Sequence, residues 1–134
     1  MEENKSILNF VRYINESMDP EEAIRILILS GNKKPSKTSK SFIDECEKRG
    51  IECIVVNVND IGIDKLYNGH LIYNRSERTE NIISPSNTVV IPRRGVIENS
   101  HTKQIMRILE DARYFCVNSL ESIEFFDPVK KEYV

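Results

Sequence analysis

Arg25-Ile26-Leu27-Ile28-Leu29-Ser30-Gly31-Asn32 is an unbroken run of branched aliphatics that ends in turn residues. A short apolar run of this kind suits a strand buried on both faces, and such strands belong to parallel sheets covered on either side. Downstream of it, Phe42, Ile43 and Cys46 continue a helical pattern that closes at Lys48-Arg49-Gly50, with cations in the last turn and glycine just beyond. Glu52 to Val58 is then a second Val/Ile-rich strand, and parallel pairing with the first buries both. Val89-Val90-Ile91 is a third buried strand, stopped by Pro92. Ile105, Met106, Leu109 and Ala112 mark a helix from about Ser100 to Arg113. Tyr114 to Val117 is a fourth strand, and Asn118-Ser119 can cap a last helix running through Ile123 and Phe126.

The expected fold is α/β: a small, mostly parallel open sheet with helices on both faces, of flavodoxin or Rossmann type. Gly69 to Arg75 and Thr79 to Ser84 alternate apolar and polar residues and predict a hairpin or two edge strands. Ile7, Phe10, Val11 and Ile14 predict a short amphipathic N-terminal helix, which Asp19-Pro20 ends. Residues 1–22 therefore read as a helical extension that covers an edge or meets a second copy, and residues 23–126 as the α/β domain. Residues 127–134 read as a tail or the start of a linker.

The bulk composition narrows the function. The 134 residues fit one domain, and 19 basic against 21 acidic residues give a net charge of −2. That balance provides no field to draw in nucleic acid or an anionic membrane. No apolar run approaches the ~20 residues that cross a bilayer. Cys46, Cys53 and Cys116 show no metal-ligand spacing and sit among apolar residues, so reduced, buried thiols and a cytoplasmic location are expected. His70 and His101 have no second ligand type beside them and read as surface or capping residues. The sequence marks no catalytic residue and no metal site.

Two loops could carry binding. Ser30-Gly31-Asn32 follows a central strand at its carboxyl end, with Lys33, Lys34 and Lys37 nearby, but it lacks the glycines of a phosphate loop. It is either an anion-binding loop or a plain strand-to-helix turn. Pro92-Arg93-Arg94-Gly95 offers two guanidiniums just past another strand end. These either grip a carboxylate or phosphate in forked geometry or are solvated and paired with neighbours such as Glu98.

Val89-Val90-Ile91-Pro92-Arg93-Arg94-Gly95, a helix, and then Phe115-Cys116-Val117-Asn118-Ser119-Leu120-Glu121-Ser122-Ile123 together resemble the N-terminal pre-ATP-grasp domain of RimK-type ligases. Pro92, Arg93, Gly95, Asn118 and Ser119 match the motifs of that family, while Arg94 stands where the family varies. The resemblance implies a substrate-side or scaffold domain of an ATP-dependent carboxylate–amine ligase, similar to glutathione synthetase in architecture. Arg93, Arg94, Gly95, Asn118 and Ser119 would then contact substrate or the neighbouring domain. Acidic or amino-acid substrates are implied, of the kind used in ribosomal protein modification or peptide synthesis. It also implies that ATP and magnesium are bound by an ATP-grasp domain beyond this sequence and not by the chain itself, which is then inactive alone; a homo-oligomer is compatible with it. The alternative is a standalone α/β module that binds a small anion or a protein partner without catalysis.

Overall fold

A computed structural model describes residues 5–18, 22–31 and 37–125. The chain order is α1 (Lys5–Ser17), β1 (Arg25–Ser30), α2 (Lys37–Lys48), β2 (Glu52–Asn57), β3 (Ile61–Leu66), β4 (Gly69–Asn74) and β5 (Thr79–Ile83). There follow β6 (Thr88–Pro92), a 3-10 turn at Arg94–Val96, α3 (Ser100–Asp111), β7 (Phe115–Cys116) and α4 (Leu120–Phe125). Four strands form one all-parallel sheet in the order β2-β1-β6-β7. The expected parallel α/β architecture is therefore present, with the N-terminal helix in place.

The unbroken apolar run of β1 is explained by its central position. Ile26, Leu27, Ile28 and Leu29 are all fully buried, because alternate side chains enter different layers. Ile26 and Ile28 join Val89 and Ile91 of β6 against Ile7, Val11 and Ile14 of α1, Phe42 and Cys46 of α2, and Leu120 and Ile123 of α4. Leu27, Leu29 and Val90 face the opposite layer, which holds Ile105 and Leu109 of α3. Each such side chain contributes about 1.5–3 kcal/mol on burial, so the register of β1 is decided by packing on two sides at once.

The second layer is not made of helices alone. The predicted hairpin β4–β5 forms, but β3 adds to it, giving an antiparallel sheet in the order β3-β4-β5. Ile61, Ile72 and Ile83 from its inner face pack with Val56 and Val58 beneath the parallel sheet. The sequence reading contains no β3, because only Ile61 and Ile63 carry its inward pattern before Asp64 and Lys65 interrupt it. Asn74, almost fully buried, fastens this sheet to the end of β2: its Nδ2 donates to the carbonyls of Asn57 (2.9 Å) and Asn59 (2.7 Å). Its Oδ1 accepts from Ser76 Oγ (2.9 Å) and the Glu77 amide (2.8 Å).

One expectation needs correction. His70 is not a surface residue: it is 6% exposed, and its Nδ1 lies 2.9 Å from the Tyr114 hydroxyl, which donates to the Ile83 carbonyl at 3.2 Å. Because the phenol has only one proton to give, the imidazole carries its own on Nδ1. His101 joins Nε2 to the Ile61 carbonyl at 2.8 Å and ties the start of α3 to β3. The glycine stop after α2 is as read, with Gly50 at φ +75°. No described helix is long and apolar enough to cross a membrane. Asp19-Pro20, Lys33, Lys34 and residues 126–134 lie outside the described residues, as does the expected extension of the last helix to Phe126.

Candidate functional site

The strand order creates a place for a ligand. From β1 the chain crosses to β2 on one side, whereas β6 pairs with β1 on the other. The helix after β1 and the segment after β6 therefore diverge, leaving a crevice outside the carboxyl ends of these two strands. A cavity of about 250 Å³ lies there, lined by Ser30, Gly31, Arg93, Gly95 and Val96. The two loops singled out from the sequence thus meet, except that Asn32 lies outside the described residues.

The glycines in this crevice are not equivalent. A Cβ on Gly31 would stand 3.1 Å from Val96 Cγ1, so the small residue lets the 3-10 turn approach the end of β1. A Cβ on Gly95 would meet nothing within 4 Å, and Gly95 has no positive φ. The turn does not require glycine at that position.

Arg93 is held rather than solvated. Its Nε donates to Glu121 Oε1 at 2.7 Å and its Nη1 donates to Ser39 Oγ at 2.6 Å. The second carboxylate oxygen of Glu121 accepts from the Arg94 amide at 2.8 Å. One carboxylate thus spans a guanidinium and a backbone donor, joining the end of β6 to the first turn of α4 and, through Ser39, to α2. The partner anticipated from sequence, Glu98, instead pairs with Lys103 at 3.0 Å. Partial burial acts to raise the Glu121 carboxyl pKa. The Arg94 amide, its own backbone amide and the Arg93 side chain outweigh that and hold it below the ordinary carboxylate value.

Of the remaining predicted residues, Ser119 is 5% exposed and caps α4, its Oγ accepting from the Ser122 amide at 3.1 Å. Arg94 is exposed beside the crevice. Asn118 lies elsewhere, in a second cleft of about 410 Å³ between the ends of β6 and β7 and helix α3. The five residues expected to act together are therefore split between a clamp, a cap and two clefts. Glu121 and Ser39 were not singled out from sequence. Glu121 had a signal, as an acid in the first turn of a helix within the quoted motif, whereas Ser39 had none. Asn59, just after β2, has no signal in the sequence either, although its Nδ2 reaches the Gly31 carbonyl at 3.5 Å.

The thiols of Cys53 and Cys116 are chemically quiet. Cys53 is pushed up by its hydrogen bond with Cys46 and by burial, and Cys116 is pushed up to about 12, chiefly by burial. All three cysteines are free. Among the described residues no group of three His, Cys, Asp or Glu side chains could hold a metal ion. What the first crevice can do is bind and orient a small polar group beside an anchored guanidinium. No protein-family model matches the chain, and no curated protein matches it.

Proposed function

We propose that this chain is the N-terminal, substrate-side domain of a RimK-like ATP-dependent carboxylate–amine ligase, one that joins an amino acid to a protein or peptide. The observation that supports it most is the Glu121 clamp. The two segments that carry the resemblance, residues 89–95 and 115–123, are linked in space by one carboxylate that accepts from Arg93 and from the Arg94 amide. Such a link gives both segments a shared purpose: it sets the wall of the switch-point crevice and, with it, the course of α4. In this reading Arg93 and its neighbours line the substrate cleft, while an ATP-grasp domain supplies ATP and magnesium binding and the chemistry.

The test is an assay of the protein as its gene encodes it, with Mg-ATP, single amino acids and a carboxylate-ended acceptor peptide. Expected are amino-acid-dependent ADP release and a mass gain of one residue on the acceptor, with a raised KM in Arg93→Lys. The proposal is overturned if no amino acid stimulates ADP release and no acceptor gains mass.

A further inference from the structure

Among the described residues the two sheets have their outer edges at β2, β7, β3 and β5, and three of these are blunted. β7 is only two residues long, β3 ends in the exposed Asp64 and Lys65, and on β5 the Ile82 carbonyl accepts from Arg25 Nη1. Short length, charge and covered groups are what keep an edge from pairing with another chain. β2 differs: after Glu52 it runs Cys53-Ile54-Val55-Val56, without charge or proline, and the first three of these are only half-buried. Its free groups follow from the ladder with β1. Val58 N donates to the Ser30 carbonyl at 2.8 Å, and the backbone groups of successive residues point to opposite sides of a strand. Ile54 and Val56 therefore face β1 as Val58 does, while Cys53, Val55 and Asn57 face outward. Asn74 closes the Asn57 carbonyl. The N–H and C=O of Cys53 and Val55 have no partner on the outer side among the described residues.

We infer that this edge pairs with the same edge of a second copy, β2 antiparallel to β2 about a two-fold axis perpendicular to the sheet, which joins the two four-stranded sheets into one. The free groups fix the register. Residues opposed in an antiparallel ladder exchange both of their bonds, so Cys53 of each copy lies opposite Val55 of the other and Ile54 meets its own counterpart on the axis. Every free group of Cys53 and Val55 is then satisfied, and the Asn74 contact ends the ladder beyond Val56. A second copy suits this edge because it brings an equally short apolar run, and no like charges meet across the axis. Glu52, already paired with Arg25 at 3.3 Å, falls opposite Val56. The inference does not rest on the ligase reading, and its test measures association and not ligation.

Sedimentation equilibrium of the full chain is expected to show monomer and dimer exchanging between about 10 µM and 1 mM. Ile54→Lys sets like charges opposite each other on the axis and should weaken the dimer at least ~10-fold, as should Ile54→Glu. An equimolar mixture of the two variants should dimerise again, which misfolded chains would not do. The register is read by disulfide trapping with oxidised glutathione in a Cys53→Ser background. In Ile54→Cys the two Cα atoms on the axis lie about 4.5 Å apart, within disulfide reach, whereas in Glu52→Cys they are more than about 13 Å apart. A covalent dimer is therefore expected from the first variant and not from the second. A monomer at every concentration, a dimer untouched by Ile54→Lys, or a mixture that stays monomeric overturns the interface. Slow hydrogen exchange at Cys53 and Val55 in a monomer overturns it too, by assigning the edge to a segment of the same chain. Trapping through position 52 in place of 54 overturns the register.

Discussion

Arg93 shows how a residue picked out for binding can also hold the fold. On sequence grounds alone a loop arginine is solvated and its removal alters stability by less than about 0.5 kcal/mol. Here it joins α2 and α4 to the end of β6, and about a fifth of the surface of both it and Glu121 stays in water. Allowing for that screening, Arg93→Ala should cost about 1–2 kcal/mol, read as a lowered Tm. His70 makes a second prediction at this scale. Burial, and then the charge of Lys65, lower its pKa below the ordinary 6.5. The unfolded chain therefore binds the proton first as pH falls. Its stability contribution is complete above about 6.5 and is lost as the pH drops from there toward the depressed folded value. Urea unfolding at pH 7.5 and at successively lower pH should show this decline, and His70→Gln should flatten it in that window. Glu121, with its lowered pKa, loses its contribution only at more acid pH, below the ordinary 4.5.

At the scale of elements, α1 is the helix whose sequence pattern leaves its role most open. Its apolar spacing is plain, but spacing names no partner, and an edge cover or a contact with a second copy would require the same stripe. In the fold, α1 packs against α2 and α4, and Ile7, Val11 and Ile14 enter the same cluster as Ile26 and Ile28 of β1. Ile14 is fully buried, so Ile14→Ala should cost about 2–5 kcal/mol, checked by thermal or urea unfolding. Tyr13, more than half exposed beside Phe115, should tolerate Tyr13→Ala far better. If the two variants are equally mild, α1 is not part of the core layer. The β3 strand teaches the complementary point: a weak alternating pattern becomes a strand because β4 offers it a full antiparallel ladder from Ile61↔Asn74 to Leu66↔Gly69.

For the molecule as a whole, one parallel sheet separates two unlike layers, three helices on one face and α3 with an antiparallel sheet on the other. Both clefts open at the carboxyl ends of its strands, on either side of the segment that follows β6. Among the described residues neither has the glycine-rich loop or paired magnesium carboxylates that phosphoryl transfer uses. Calorimetric titration of the chain with Mg-ATP should therefore give no micromolar binding, and a coupled assay no turnover; tight binding together with turnover would contradict this architecture of function.

Periodicity and composition by themselves determined the parallel strands, the helices between them and the positions of the turns. Burial on two faces leaves an unbroken aliphatic run, as at Ile26 to Leu29, and a helix end leaves its glycine, as at Gly50. Only the tertiary structure decided that His70 is internal, that Glu121 rather than Glu98 holds Arg93, and that Asn118 faces a different cleft from Arg93. Those outcomes depend on pairs 28 to 44 residues apart. The burial of a short polar side chain is set by what closes over it, and a local pattern carries no record of that neighbour.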